Sequence, residues 1–198
     1  MNIANKLTMI RIVLSIVVLI ILLFPFYMIG VTFPKYVIND QLIINSKYVI
    51  SGFIFMIAAL TDFLDGYIAR KYEMVTDFGK LMDAVADKIL VNGVLIVLAA
   101  DNFISPIIPV IVILRDSMVN SIKMVAASKG KVVAAINTGK IKTVFLMVGI
   151  VLSLFYNLPF ELWNLQVADF LLITAAILSL ISGLQYFIMN KDLLGTTK

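Results

Sequence analysis

The chain has 198 residues, of which 62% are hydrophobic and 14% are charged, and its formal net charge is +4. A soluble domain is closer to half apolar and a quarter charged, so the composition predicts an integral membrane protein with a single domain over residues 1–198. The sequence contains no cysteine and no histidine. This excludes disulfides, thiol catalysis and Ser–His triads, and leaves carboxylates, lysine and tyrosine for acid–base chemistry.

Six apolar stretches are each long enough to cross a bilayer, which takes about 20 helical residues. They are Met9–Gly30, Tyr48–Tyr67, Leu81–Ala100, Ile104–Ala127, Ile141–Leu158 and Val167–Asn190. No alternating strand pattern accompanies them, so we predict an all-α, polytopic membrane protein with a six-transmembrane-helix bundle. Ile3, Leu7 and Ile10 share one helical face ahead of the first stretch, which predicts a short N-terminal interfacial helix; a frayed terminus is the alternative.

Basic residues are distributed unevenly between the two ends of these predicted helices. If both termini are cytoplasmic, 14 of the 16 Lys and Arg lie on the cytoplasmic side or in helix ends that face it. Only Lys35 and Lys47 then lie outside. The positive-inside rule therefore predicts a multi-pass protein of the cytoplasmic membrane, with both termini and its polar site on the cytoplasmic side.

Four aspartates lie at the ends of the second and third predicted helices: Asp62, Asp65, Asp83 and Asp87. The first two are spaced i, i+3 and the last two i, i+4, so each pair shares a helical face. An aspartate at the centre of a membrane helix costs about 2.5–3.5 kcal/mol, so we expect cations to hold these carboxylates together. Because every ligand offered is oxygen, the predicted ions are Mg²⁺ or Mn²⁺, two per site, in an arrangement suited to in-line displacement at phosphorus.

Small and basic residues accompany the aspartates. Gly66 and Ala69 continue the face of Asp62, and Gly79 precedes Asp83 by one turn. Small side chains leave room for a nucleotide to approach the backbone, and Arg70 is suited to bind phosphate oxygens. The alternative is a set of ordinary helix-end carboxylates paired with basic neighbours.

The pattern Asp62-x-x-Asp65-Gly66-x-x-Ala69-Arg70, eight residues, Gly79-x-x-x-Asp83-x-x-x-Asp87 resembles the signature of the CDP-alcohol phosphotransferases. The resemblance implies six transmembrane helices, a homodimer, a site open to the cytoplasm, and displacement of CMP from a CDP-linked lipid by an alcohol with divalent metal. It further implies that the four aspartates are metal ligands and that Asp87 is also the catalytic base. Gly66, Ala69 and Gly79 would make room for the cytidine nucleotide, and Arg70 would bind its diphosphate.

Polar residues inside the fourth apolar stretch point to the acceptor. Asp116, Asn120 and Lys123 share one face with Arg115 alongside, and polar residues within a span usually face the bundle or a watery cavity. We therefore predict that Arg115 and Lys123 bind the phosphate of a phosphorylated acceptor, with Lys140 and Lys142 at the start of the fifth helix. For Lys140 and Lys142 the alternative is topological, since basic residues hold the loop before the fifth helix on the cytoplasmic side.

Three further stretches are similar to the phosphatidylglycerophosphate synthase branch of that family. They are Asn5-Lys6-Leu7-Thr8-Met9-Ile10-Arg11, Arg115-Asp116 with Lys123, and Gly139-Lys140-Ile141-Lys142-Thr143. The resemblance implies CDP-diacylglycerol and glycerol 3-phosphate as substrates, places Asn5 and Thr8 with the CDP-lipid, and implies no nucleic-acid partner. The chain departs from that branch at Ala4, Ala84, Asp116, Lys123 and Leu146, and none of these departures removes a predicted metal ligand.

Other functions stay open at this point. The same chemistry with an inositol phosphate or phosphatidylglycerol as acceptor is the nearest alternative. A cation transporter is more distant, because transporter sites tend to lie at the midplane between repeated halves, whereas these aspartates lie at one surface and no repeat is visible. A lipid-binding relative without catalysis is disfavoured by the four intact aspartates.

Overall fold

The computed structural model describes residues 3–38, 42–71 and 77–191, with the side chains at 3, 4, 63–71, 77, 78, 80 and 81 left out of the description. The described residues form six α-helices and one two-stranded hairpin. In chain order the elements are α1 (Ile3–Leu23), β1 (Lys35–Ile38), β2 (Leu42–Asn45), α2 (Ser46–Lys71), α3 (Asp77–Ala100), α4 (Ile107–Ser128), α5 (Asn137–Leu154) and α6 (Val167–Met189). The prediction of a helical fold built on six helices is confirmed.

Three of the described helices are both long and apolar enough to cross a membrane. They are α5, α6 and the part of α1 from Asn5 to Leu23. Helices α2, α3 and α4 have 26, 24 and 22 residues, which also suffices in length, but they carry the charged residues of the predicted site. The structure thus agrees with a membrane-integral protein, and the crossing of the membrane by all six helices stays a prediction.

The first helix differs from its prediction at both ends. It runs without interruption from Ile3 to Leu23, so the prediction of a separate interfacial helix is wrong; no glycine or proline lies within it to break the helix. The helix also stops seven residues before the predicted Gly30, because Pro25 cannot donate a backbone hydrogen bond and disfavours helix at the residue before it. Residues 26–29 instead form a single 3₁₀ turn, which closes at Gly30 with φ +74°.

The hairpin between α1 and α2 was not predicted. Strands β1 and β2 pair antiparallel, with Lys35 opposite Asn45 and Ile38 opposite Leu42. Each strand has only four residues, which is too short for alternation of polar and apolar side chains to be visible in sequence. The backbone N–H of Asn45 donates to the Tyr156 hydroxyl at 2.9 Å, and this bond ties the hairpin to the segment between α5 and α6.

The helices pack as two groups of three. Helix α1 packs on α2 and α3, helix α6 packs on α4 and α5, and the two groups meet where α2 contacts α5 and where α3 contacts α4 and α5. Two glycines permit close approach: a Cβ at Gly93 would lie 2.8 Å from the Leu19 side chain, and one at Gly149 would lie 2.7 Å from that of Leu172. Small residues of this kind let membrane helices pack without a hydrophobic driving force between them. The junction of the two groups is where the polar residues collect.

Candidate active site

Arg11 of α1 joins the two aspartate-bearing helices. Its side chain is only 1% exposed, and its Nη1 atom lies 2.6 Å from Oδ1 of Asp62 on α2 and 2.7 Å from Oδ1 of Asp83 on α3. Charge-assisted contacts this short are among the stronger polar interactions in proteins. One nitrogen of Arg11 therefore contacts one carboxylate from each predicted pair, so these two carboxylates lie within a few ångströms of each other. The sequence predicted that the two pairs would come together.

Asp87 lies one turn beyond Asp83 on α3, within electrostatic reach of Asp62, Asp83 and Asp116. Among the side chains that the structure describes, no three carboxylates are close enough together to hold a metal ion. Asp65, Gly66, Ala69 and Arg70 lie in the last turns of α2, and these four predicted site residues fall outside the described side chains.

The chemistry of the described donors nevertheless fits a hard divalent cation. Asp62, Asp83 and Asp87 offer only carboxylate oxygens, and the side chains of Asp62 and Asp83 are 37% and 50% exposed, so an ion from solution can reach them. Mg²⁺ or Mn²⁺ at this end of the bundle stays a prediction.

Asn5 and Thr8 lie on the same face of α1 as Arg11, two turns and one turn before it respectively, since the spacing is i, i+3 and i+6. Both side chains are buried, at 9% and 4% exposure. Gly79 stands one turn before Asp83 on α3 and is partly buried. The structure therefore places Asn5 and Thr8 on the helix that carries Arg11 and Gly79 on the helix that carries Asp83, and their role toward a CDP-lipid stays a prediction.

A second charged cluster forms where α4, α5 and α6 meet. Oδ1 of Asp116 accepts hydrogen bonds from Arg115 Nη1 at 2.9 Å and from Lys142 Nζ at 3.0 Å. Lys142 is buried, at 3% exposure, and a lysine is almost never buried without such a partner. One carboxylate shared by two cations leaves a net positive charge beside the cavity described below.

Two side chains of helix α6 contact Arg115. The Arg115 Nε donates to the Ser182 hydroxyl at 3.0 Å, and its guanidinium carbon lies 5.5 Å from the centre of the Tyr186 ring. Lys123 Nζ lies 5.7 Å from the centre of the same ring, so Tyr186 makes a cation–π contact with both cations. A Cβ on Gly183 would approach Arg115 Cγ to 3.2 Å, and one on Gly139 would approach Nη2 to 3.0 Å. The two glycines thus leave the space that the arginine occupies.

No sequence signal singled out Ser182, Gly183 or Tyr186, because α6 is mostly apolar and its few polar residues form no recognisable motif. Arg11 did carry a signal. An arginine in the first half of an apolar helix needs a buried partner, and the carboxylates of the motif were the candidates.

A cavity of about 190 Å³ lies between Asp87 and the second charged cluster. Asp87 and Lys88 of α3 line one side, and Arg115, Asp116, Lys123 and Lys142 line the other. Of the predicted acceptor residues, Arg115, Lys123 and Lys142 are therefore brought together, whereas Lys140 is exposed and does not line this cavity. A small anion in the cavity would lie between the cations and the Asp87 carboxylate.

Known proteins resemble this chain over nearly its whole length. The family model described as CDP-alcohol phosphatidyltransferase matches residues 1–181. The chain is 37% identical over 196 residues to a Bacillus subtilis protein named CDP-diacylglycerol–glycerol-3-phosphate 3-phosphatidyltransferase, a match that covers 99% of this chain and 98% of the relative. A Mycoplasma genitalium protein of the same name is 35% identical over 190 residues, covering 96% and 75%.

One solved structure has a similar fold. It is the apo crystal structure of the Mycobacterium tuberculosis phosphatidylinositol phosphate synthase, with a TM-score of 0.59 and coverage of 99% of this chain and 94% of that one. The sequence identity is 19%, so this likeness concerns the arrangement of the helices and not the choice of substrate.

Proposed function

The chain belongs to the CDP-alcohol phosphatidyltransferase family, and from that premise we propose that it transfers the phosphatidyl group of CDP-diacylglycerol to sn-glycerol 3-phosphate, giving phosphatidylglycerol phosphate and CMP. The observation that carries this proposal is the single cavity lined both by Asp87 and by Arg115, Lys123 and Lys142. The predicted proton acceptor and the predicted phosphate-binding residues therefore line one small space. The names of the two bacterial relatives support the choice of glycerol 3-phosphate.

In the proposed reaction one P–O bond forms, one breaks, and the released proton has an acceptor. A hydroxyl oxygen of glycerol 3-phosphate attacks the phosphorus that bears diacylglycerol, a new P–O bond forms, and the P–O bond to CMP breaks. The hydroxyl proton passes to the Asp87 carboxylate, which lines the acceptor cavity and needs only to lie within hydrogen-bonding distance of that hydroxyl. Divalent ions, when bound by the aspartates, supply positive charge for the diphosphate.

Charge and size favour a small phosphorylated acceptor. Three cations face one carboxylate in the cluster, and a phosphate monoester carries about −1.5 to −2 at neutral pH, so the two charges nearly cancel. The cavity, at about 190 Å³, is smaller than the roughly 300–1,000 Å³ that drug-sized ligands occupy. A three-carbon phosphate suits this volume better than an inositol phosphate or the headgroup of phosphatidylglycerol.

We also propose that all six helices cross the cytoplasmic membrane, with both termini and the active site in the cytoplasm. The contacts support this arrangement: Arg11 in the first half of α1 meets Asp62 in the second half of α2 and Asp83 in the first half of α3. Arg115 near the middle of α4, Lys142 in the first half of α5 and Ser182 in the second half of α6 are also joined by hydrogen bonds. Nearly all basic residues belong to the cytoplasmic side of this arrangement, as the positive-inside rule requires. The homodimer implied by the resemblance stays a prediction, which mass measurement in lipid nanodiscs would test.

A panel of acceptors tests the function. The purified protein in nanodiscs is supplied with CDP-diacylglycerol labelled in its CMP moiety, and release of CMP is followed with glycerol 3-phosphate, glycerol, an inositol phosphate or phosphatidylglycerol. We expect release with glycerol 3-phosphate and not with unphosphorylated glycerol. Equal use of glycerol would show that the cationic cluster does not bind the acceptor, and preference for an inositol phosphate would reassign the substrate within the family.

A further inference from the structure

A cavity lies at the end of the bundle opposite the active site. It has a volume of about 540 Å³, against about 190 Å³ at the active site. The end of α1, the 3₁₀ turn after it, the start of β1 and the start of α2 surround it, and α3 closes it with Val97, Ala100 and Asp101. None of the residues that line it takes part in the proposed reaction.

Two lysines line this cavity, and they are the two that the positive-inside rule leaves unexplained. Lys35 begins β1 and is exposed, and Lys47 lies two residues after Asn45, the partner of Lys35 across the hairpin. The hairpin register therefore brings the backbone of Lys35 close to that of Lys47, and both residues line the cavity. No described carboxylate lies within ion-pair distance of either ammonium, and Asp101, the one acidic residue in the lining, instead accepts a hydrogen bond from the Tyr48 hydroxyl at 2.7 Å.

Lys47 is held in position by the fold. Its Nζ donates to the carbonyl oxygen of Leu22 at 3.1 Å, at the end of α1, and lies 4.6 Å from the centre of the Tyr48 ring. An ammonium has three donor hydrogens, so one bond to a carbonyl leaves it able to bind an anion in the cavity. Lysines at this end of the bundle work against the predicted orientation in the membrane, which suggests that they bind something there.

The other wall of the cavity is aromatic. Phe26 packs edge-to-face on Phe24 at 5.0 Å and on Phe33 at 5.2 Å between ring centres, and Tyr27 beside them is 72% exposed. Exposed aromatic residues at a helix end are typical of the level at which lipid headgroups meet the hydrocarbon. The volume also falls within the roughly 300–1,000 Å³ usual for ligand cavities. A cavity lined by two lysines and by aromatic rings is complementary to a phosphate with acyl chains attached.

We propose that this cavity, formed by the end of α1, the hairpin and the start of α2, binds the headgroup of an anionic phospholipid in the leaflet opposite the active site. The phosphodiester lies between Lys35 and Lys47, and the acyl chains run past Phe24 and Tyr27 into the bilayer. Two lysines and one carboxylate line the cavity, and this net positive charge selects an anionic lipid over a zwitterionic one. The proposal rests on the membrane arrangement proposed above and not on the reaction.

The test uses the full-length protein, stripped of lipid in detergent, with retention of phosphatidylglycerol or phosphatidylcholine followed by native mass spectrometry. Each lysine near a membrane surface contributes about 1 kcal/mol toward an anionic lipid. We therefore expect Lys35→Gln to weaken phosphatidylglycerol binding about fivefold, and Lys35→Gln with Lys47→Gln about 25-fold. The matched control is Lys131→Gln with Lys191→Gln, which removes two exposed lysines outside this cavity and should weaken phosphatidylglycerol binding much less than the cavity pair does.

Two further measurements test where the lipid binds and whether free phosphate can take its place. A phosphatidylglycerol that carries a photoreactive group near its headgroup should label residues 22–35, and inorganic phosphate at millimolar concentration should not displace it. The single variant Lys35→Gln serves as a check on folding. Because the Lys35 side chain is exposed, its replacement removes no contact of the described core.

Three results would overturn the proposal: unchanged affinity in the double variant, an equal loss in the control pair, or displacement by inorganic phosphate. CMP release should be the same in Lys35→Gln as in the unmodified chain, so a failure of this site and a failure of the proposed function give different results.

Discussion

Replacement of Arg11 by glutamine removes the one described cation between the carboxylates of Asp62 and Asp83. The two acidic groups come from different helices and lie within a few ångströms of each other, so their repulsion acts directly to separate α2 from α3. Breaking a buried ion pair by removal of one partner costs about 3–5 kcal/mol. The aspartates are 37% and 50% exposed, and water screens them in part, so the lower end of that range, about 3 kcal/mol, is expected.

For a chain of this length, about 3 kcal/mol corresponds to a fall in Tm of roughly 6–12 °C. The measurement is thermal unfolding in detergent, in excess EDTA and again in excess Mg²⁺. Because a divalent ion at the aspartates supplies the charge that the variant lacks, the difference in Tm between Arg11→Gln and the unmodified chain should narrow with Mg²⁺. Arg11→Lys, which keeps the charge, is the control and should lose less. Equal Tm for Arg11→Gln and the unmodified chain in EDTA would refute the reasoning, since the ion pairs would then contribute nothing.

The remaining predictions concern turnover and are followed as CMP release. EDTA should abolish activity and Mg²⁺ or Mn²⁺ should restore it, because the predicted site offers only oxygen ligands; activity in excess chelator would exclude the metal. Asp87→Asn, which keeps the size of the side chain but removes the proton acceptor, should reduce kcat more than about 10²-fold, and near-normal kcat would mean that another group takes the proton. Arg115→Ala should raise KM for glycerol 3-phosphate roughly 10- to 100-fold and leave KM for CDP-diacylglycerol unchanged, whereas a purely structural role would affect both. Gly183→Ala should shift Arg115, because the added Cβ would lie 3.2 Å from Arg115 Cγ, and should raise the same KM by a smaller factor than Arg115→Ala; Ser121→Ala on an exposed face of α4 is its control.

The parts of the fold and site that depend on local spacing could be predicted from the sequence. Asp83 and Asp87 share a face of α3 because a helix brings residues four apart together, whatever surrounds it. The helix ends were predicted less well, since an apolar run continues through Pro25 although the helix cannot. Strands of four residues were missed because alternation needs more positions than they have.

Contacts between elements could not be predicted in the same way. That Arg11 bonds Asp62 and Asp83 depends on how α1 crosses α2 and α3, and no spacing within one helix encodes that crossing. Tyr186 lies beneath Arg115 and Lys123 because α6 packs on α4 closely enough at Gly183, and a tyrosine in an apolar span has many other uses. Residues with a charge inside a span were therefore identifiable, and the neutral residues that position them were not.

Asp116 shows why the two interpretations of Arg115, structural and phosphate-binding, are compatible. In the sequence the adjacent aspartate left open the alternative that Arg115 is neutralised by its neighbour. In the structure Asp116 is shared with Lys142, so one negative charge faces two positive ones, and Lys123 adds a third. A guanidinium has five N–H donors, of which the described contacts to Asp116 and Ser182 use two. The carboxylate and the serine fix the plane of Arg115, and its remaining donors are left for the cavity that it shares with Asp87. A rigid, incompletely neutralised arginine binds a phosphate at a smaller cost in conformational entropy than a mobile one, and this is the property that an acceptor site requires.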